Sequence, residues 1–279
     1  MSGFSPEWLA LREPVDHRSR DAALAAELGG YFAGRASIRV VDLGCGTGSN
    51  LRGTFDVLPR EQHWTLIDYD PRLLEEARRA ITAWADEARP ALAGDALVVI
   101  KGGRRLTIET RQVDLNTDLD RALEPAPDLV TASAFFDLCS PQFIGRFVAA
   151  VVARRAAFFT VLTYNGQQSW TPTHPADAAM RSAFVAHQGG DKGFGPSAGA
   201  AAAPALGATF QAAGYVVMEA DTPWLLGAAD RRLIGELQEG FASAVAETGA
   251  VDAARIASWR ALARTSAVVG HTDTLALPG

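Results

Sequence analysis

The chain has 279 residues, 48 % hydrophobic and 21 % charged, an ordinary globular composition with material for one α/β domain plus embellishments. Its net charge of −6 argues against a nucleic-acid partner, whose phosphates would be repelled over most of the surface. Two cysteines indicate neither a disulfide framework nor a metal site; with no secretory signal and no membrane-length apolar run, a cytoplasmic protein is expected.

Residues 6–34 read as helical, with Leu9, Val15, Leu24, Leu28 and Phe32 as apolar positions and Pro14 separating two pieces. The first piece carries a dense charged patch from Arg12 to Arg18. From there the chain alternates. Strands are expected near 37–42, 63–68, 106–113, 128–133 and 156–163, with helices near 50–57, 71–89 and 141–153. Such alternation implies a parallel sheet with helices on both faces. Apolar runs on either side of Gly102-Gly103 suggest a β-hairpin over 96–106 decorating one edge, with Arg104 and Arg105 at an exposed tip.

Beyond 164 the chain departs from a minimal alternating fold. Residues 164–204 are long for a connection and read as a lid or substrate loop, centred on a helix over 174–188. Gly189 to Pro196 follows, with four glycines around Asp191, Lys192 and Phe194: a mobile loop with polar reach. A helix over 201–213, a strand over 215–220, helices near 228–247 and 252–264, and a final strand over 267–275 complete the order.

The most informative stretch is Val40 to Asn50, a buried strand entering the turn Gly44-Cys45-Gly46-Thr47-Gly48 and then a helix. A dinucleotide loop would place its third glycine one residue later and would not carry Asp42, which repels a pyrophosphate. A cofactor bearing an ammonium and a sulfonium would be favoured there instead. Asp68, at the end of the next strand, is spaced to grip the two hydroxyls of a ribose.

These residues resemble motif I and the acidic second-strand loop of class I S-adenosylmethionine-dependent methyltransferases, and the likeness covers roughly residues 36–165. It implies a Rossmann-like α/β sandwich with a mostly parallel seven-stranded sheet, whose last strand enters antiparallel. The layout would be an amino-terminal helical cap over 1–34 and the methyltransferase domain over 35–279. S-adenosyl-L-methionine would be held by Asp42, Gly44, Cys45, Gly46 and Gly48 at its methionine end and by Asp68 at its ribose. Asp114 would approach the adenine, Tyr69 and Leu115 would sandwich it, and Ser133 would stand at the methyl end. A covering amino-terminal helix would let Arg12 or Arg18 pair with the cofactor's carboxylate.

Phe135 and Phe136 would wall the reaction space, joined by Tyr164, His174, Lys192 and Phe194 around a small-molecule acceptor. Trp170 and Trp224 could line an aromatic pocket or pack in the core. Candidates for a base are His187, His174, Asp137 and Asp191. Methyl transfer to oxygen or nitrogen is the leading expectation. A protein methyltransferase, an enzyme using the cofactor's aminobutyryl arm and a non-catalytic binding module stay open.

Overall fold

The computed structural model describes residues 4–92 and 94–279, so the first three residues of the expected cap lie outside the described residues. The chain opens with α1 (Pro6–Arg18) and α2 (Ala22–Phe32). Pro14 lies inside α1 and does not divide it. The loss is confined to one exposed turn, where water can satisfy the carbonyl freed by the missing N–H. The break falls at 19–21, where the Asp21 carboxylate caps α2 by accepting from the Leu24 N–H at 2.8 Å.

The alternating core follows: β1 (Ser37–Leu43), α3 (Ser49–Arg52), β2 (Glu61–Asp68) and α4 (Pro71–Trp84). The helix expected over 50–57 ends at Gly53 and resumes only as a 3-10 turn, Phe55–Val57. The helix expected to 89 stops at Trp84, and β3 (Glu87–Pro90) begins. Pro90 cannot donate to a helix or a central ladder, but is tolerated on an edge strand. Next come β4 (Leu97–Lys101), β5 (Arg104–Gln112), α5 (Leu119–Ala122), β6 (Leu129–Ser133), α6 (Pro141–Ala153) and β7 (Ala157–Thr171). The remainder is α7 (Asp177–Gln188), α8 (Ala202–Ala212), β8 (Tyr215–Asp221), β9 (Trp224–Leu226), α9 (Arg231–Thr248), α10 (Ala253–Ala261) and β10 (Ser266–Pro278).

Among the described residues the sheet has ten strands, ordered β3-β4-β5-β2-β1-β6-β7-β10-β8, with β9 on β10. The expected seven strands are the run from β5 to the β8 edge, with β3 and β4 added beyond β5. Strands β5, β2, β1, β6 and β7 are parallel neighbours, and β10 is antiparallel between β7 and β8. The Gly102-Gly103 hairpin is present, but its second arm is the core strand β5 itself, so it extends the sheet instead of decorating it. Residues 164–171, expected in a lid, continue β7 and pair with β10.

Side chains alternate across β1. Val40 enters the core beneath Leu28, Phe32 and Trp64, while Val41 and Leu43 join Phe136, Phe147 and Phe158 on the other face. Each fully buried large side chain contributes about 1.5–3 kcal/mol. Both faces of the central strands are therefore committed to packing, and the carboxyl ends of β1, β2, β5 and β6 are left to carry chemistry.

Candidate functional site

At the end of β1 the backbone turns through three left-handed glycines: Gly44 at φ 60°, Gly46 at φ 53° and Gly48 at φ 75°. A Cβ on Gly44 would lie 2.7 Å from the Phe135 ring, and one on Gly46 would meet Leu9 at 3.1 Å. Close approach of neighbours, as well as conformation, thus requires glycine at Gly44. The Gly46 N–H donates to Asp68 Oδ2 at 2.9 Å, and the Asp70 N–H donates to Asp68 Oδ1 at 3.0 Å. Burial nevertheless raises the Asp68 pKa.

Asp42 is fully buried beneath this loop. The Asn50 amide donates to its Oδ1 at 2.7 Å and to Thr131 Oγ1 at 3.0 Å, while Asp42 Oδ2 has no partner. Burial pushes its pKa up to about 7, with the charge of Asp68 adding to the rise and Asn50 and Arg20 opposing it. Cys45 is buried and its thiol is pushed well up, so it fills space and stays protonated.

Helix α1 lies directly over the loop. Arg52 donates to Glu13 from Nε at 2.8 Å and from Nη2 at 2.5 Å, and its Nη1 donates to the Thr47 carbonyl at 2.9 Å. His17 Nε2 sits 3.1 Å from Ser49 Oγ. The two predicted arginines separate. Arg18 reaches out to Asp230 at 2.7 Å, whereas Arg12 turns inward, donates to Asp16 at 2.8 Å and stands 5.2 Å from the Trp224 ring centre. Arg20 donates to Thr54 Oγ1 at 2.8 Å, within reach of the charges of Asp273, Asp16 and Asp42.

Beyond Asp68, Tyr69 is 53 % exposed and leaves a ring face open at the strand end. Asp114 is exposed, its Oδ1 accepting only from the Asn116 N–H at 2.9 Å, and Leu115 is buried beside it. Ser133 ends β6, where Ala134 turns the chain at a positive φ of 51°. Phe135 then packs on Phe143 and on Phe194, which brings the 189–196 loop onto the site. Asn116 also donates to the Gly193 carbonyl of that loop.

Several expected roles move. Phe136 is fully buried, packed behind the Phe135 ring and against Phe147 and Phe158, so it belongs to the core and does not wall a reaction space. His187 is taken by Glu247 at 2.9 Å between α7 and α9. His174 Nδ1 accepts from the Ala176 N–H, and its Nε2 lies 3.1 Å from Ser258 Oγ; it shapes the start of α7 and does not join the site. Asp191 accepts from the Gly193 and Gly195 amides at 2.7 and 3.0 Å, which organises its own exposed loop. Lys192 stands in the same loop, half-buried. Trp170 packs against Phe241 and Trp259 in the core.

Asp137 stays with the site. It is buried, its Oδ1 has no partner, and burial raises its pKa to about 6 against the opposing Arg12 charge. Tyr164 is buried near by; its hydroxyl donates to Gln168 at 2.9 Å, and burial raises its pKa. His271 is a further member of the neighbourhood, 6 % exposed, its ring 5.1 Å from Trp224 and 6.4 Å from Tyr164. Burial and the Arg12 charge press its pKa down to about 3. Nothing in a lone histidine on a strand marks it in the sequence, and Asp16 is not singled out within the charged patch Arg12 to Arg18. Two surface depressions lie away from this region, one of about 410 Å³ beside Val57 to Arg60 and one of about 240 Å³ beside Glu219. Neither is lined by the loop residues.

Among the described residues no cluster of metal-ligating side chains occurs, and no helix is long and apolar enough to cross a membrane. No family model matches the chain, and no curated protein sequence matches it. Solved structures do. The cyclopropane-fatty-acyl-phospholipid synthase-like protein of Lactobacillus casei superposes with a TM-score of 0.51 at 14 % identity, over 98 % of this chain and 94 % of that one. The cyclopropane synthase MmaA2 of Mycobacterium tuberculosis gives a TM-score of 0.50 at 11 % identity, with the same coverage of both chains. A looser match, TM-score 0.43 at 14 % identity over 98 % of each chain, is a SAM-dependent methyltransferase of Thiobacillus denitrificans in complex with S-adenosyl-L-homocysteine. The chain has the Rossmann-like class I methyltransferase fold.

Proposed function

We propose that the protein is an S-adenosylmethionine-dependent methyltransferase acting on a nitrogen or oxygen of a small-molecule acceptor. The observation that carries this reading is the pair of carboxylates at adjoining strand ends, Asp42 and Asp68, on either side of a left-handed glycine loop. The donor set suits an adenosyl sulfonium. Asp42 Oδ2 is a buried acceptor without a partner, matched to an ammonium, and Asp68 keeps lone pairs for a ribose diol. Tyr69 offers an exposed ring face to a base, with the buried Leu115 and the exposed Asp114 at the neighbouring strand end.

Bound there, the cofactor would supply an activated methyl group whose leaving sulfur becomes neutral. The remaining task is positioning, because an in-line displacement depends on holding the nucleophile behind the methyl carbon. Ser133 to Asp137 leave the sheet at that end, and Phe135 closes one side. Asp137 is the carboxylate best placed to take a proton there, being buried and free at Oδ1. Cover by α1 and by the 189–196 loop favours a small acceptor over a macromolecule.

Calorimetric titration with S-adenosylhomocysteine tests the cofactor reading, and absence of binding to folded protein would reject it. Product analysis then separates the chemistries. Methyl transfer releases S-adenosylhomocysteine, whereas use of the aminobutyryl arm releases methylthioadenosine.

A further inference from the structure

Among the buried polar atoms without a partner are Asp16 Oδ1, Asp137 Oδ1, Trp224 Nε1 and His271 Nδ1. They come from four parts of the fold: α1, the turn after β6, β9 and β10. Arg12 touches two of these side chains directly and reaches the other two by its charge. It bonds Asp16 at 2.8 Å, stands 5.2 Å from the Trp224 ring centre, and acts by charge on both Asp137 and His271. Trp224 lies 5.1 Å from the His271 ring, which lies 6.4 Å from Tyr164, and buried polar atoms are ordinarily satisfied, so unsatisfied ones along this row mark a place that a polar ligand completes.

Their chemistry specifies the ligand. Trp224 Nε1 can only donate, and so can the terminal nitrogens of Arg12, whose bond to Asp16 uses Nε. Asp137 and Asp16 can only accept while ionised. The complement is a molecule with an acceptor-only group on one side and a protic group on the other. Flat walls from Trp224, His271 and Tyr164 confine it. We propose that this cluster is the acceptor subsite and that it takes a compact molecule bearing both a carboxylate and an amine, the carboxylate on Arg12 and Trp224 and the amine on Asp137.

This rests on the methyltransferase reading, and it places the amine at the end of β6, where the methyl group is delivered. The nitrogen lone pair forms the N–C bond as the C–S bond breaks and its electron pair leaves on sulfur. The proton shed by the new ammonium passes to Asp137 Oδ1. No other reactant is required.

The test uses full-length protein saturated with S-adenosylhomocysteine and two matched probe trios: anthranilate, benzoate and aniline; glycine, acetate and methylamine. Saturation-transfer NMR and titration are expected to show at least one amino acid binding tenfold or more tightly than its two truncated partners. Arg12→Gln should abolish the preference over the amine, and Asp137→Asn the preference over the carboxylate. Trp224→Phe, which keeps the ring and removes one donor, should weaken the amino acid about tenfold, with S-adenosylhomocysteine affinity retained as the check on folding. The proposal is overturned if S-adenosylhomocysteine binds but neither trio favours its amino acid, or if the variants weaken all members of a trio equally. Failure of S-adenosylhomocysteine itself to bind overturns the cofactor reading instead, and the subsite with it.

Discussion

The Gly46 backbone N–H donates to Asp68 Oδ2 across 2.9 Å, tying the glycine loop to the end of the neighbouring strand. One carboxylate fixes the loop and, on the proposed reading, keeps lone pairs for a ligand hydroxyl pair. Asp68→Ala is expected to weaken S-adenosylhomocysteine binding by roughly 1–3 kcal/mol through loss of charge-assisted hydrogen bonds. It should also speed amide exchange at Gly46. Unchanged affinity in calorimetry, with the variant folded, would take Asp68 out of the site.

Gly44 tests whether the loop's shape depends on glycine. Gly44→Ala meets a left-handed φ of 60° and places its methyl 2.7 Å from the Phe135 ring. Conformational strain and overpacking together should cost on the order of 2–4 kcal/mol in chemical denaturation. Introducing Phe135→Leu into the same chain relieves the clash but not the strain, so part of the loss should return. Full recovery would mean that φ is not the constraint.

Glu13 joins α1 to the loop through Arg52, whose side chain is only 6 % exposed. Glu13→Gln leaves that guanidinium with a weaker acceptor, and a loss of about 1–3 kcal/mol is expected. Hydrogen exchange should accelerate across 6–18 while β1 and β2 remain protected. Equal acceleration in both regions would make Glu13 a general stabiliser and not the fastening of the cover.

The central fold was legible because its signals are local. The glycine loop, the strand-and-helix alternation and the Gly102-Gly103 turn each rest on neighbouring residues, and each appears where expected. The length of β7 was not legible, because residues 164–171 are strand only through their pairing with β10. The residues proposed for the cofactor follow motif spacing. The proposed acceptor group is only partly legible: Asp137 and Trp224 stand out singly in the sequence, but their grouping with Arg12 and His271 depends on tertiary packing and shares no period. His187 and His174 illustrate the converse. Each looked available for chemistry, and each is taken by a partner that the chain order does not reveal, Glu247 and Ser258.

Asp42 gives a pH signature. Burial raises its folded pKa from 3.8 to about 7, so between those values the native state holds a proton that the unfolded chain has released. Its contribution to stability is fully present near pH 4 and is lost as the pH rises towards 7. Asp137 acts in the same direction up to about pH 6. His271 acts oppositely: with its folded pKa near 3, acidification below 6.5 protonates the unfolded chain first and destabilises the native state. Comparing Asp42→Asn with the unchanged protein isolates the first effect, since Asn can still accept from Asn50. The variant should gain on the parent by on the order of 2–4 kcal/mol between pH 4 and pH 8. Parallel stability curves would show that Asp42 is not buried as a titrating acid. Saturating S-adenosylhomocysteine should flatten the parent's slope, because an ammonium beside Asp42 Oδ2 favours the ionised carboxylate and lowers its pKa. An unaltered slope with ligand bound would mean that the ammonium lies elsewhere.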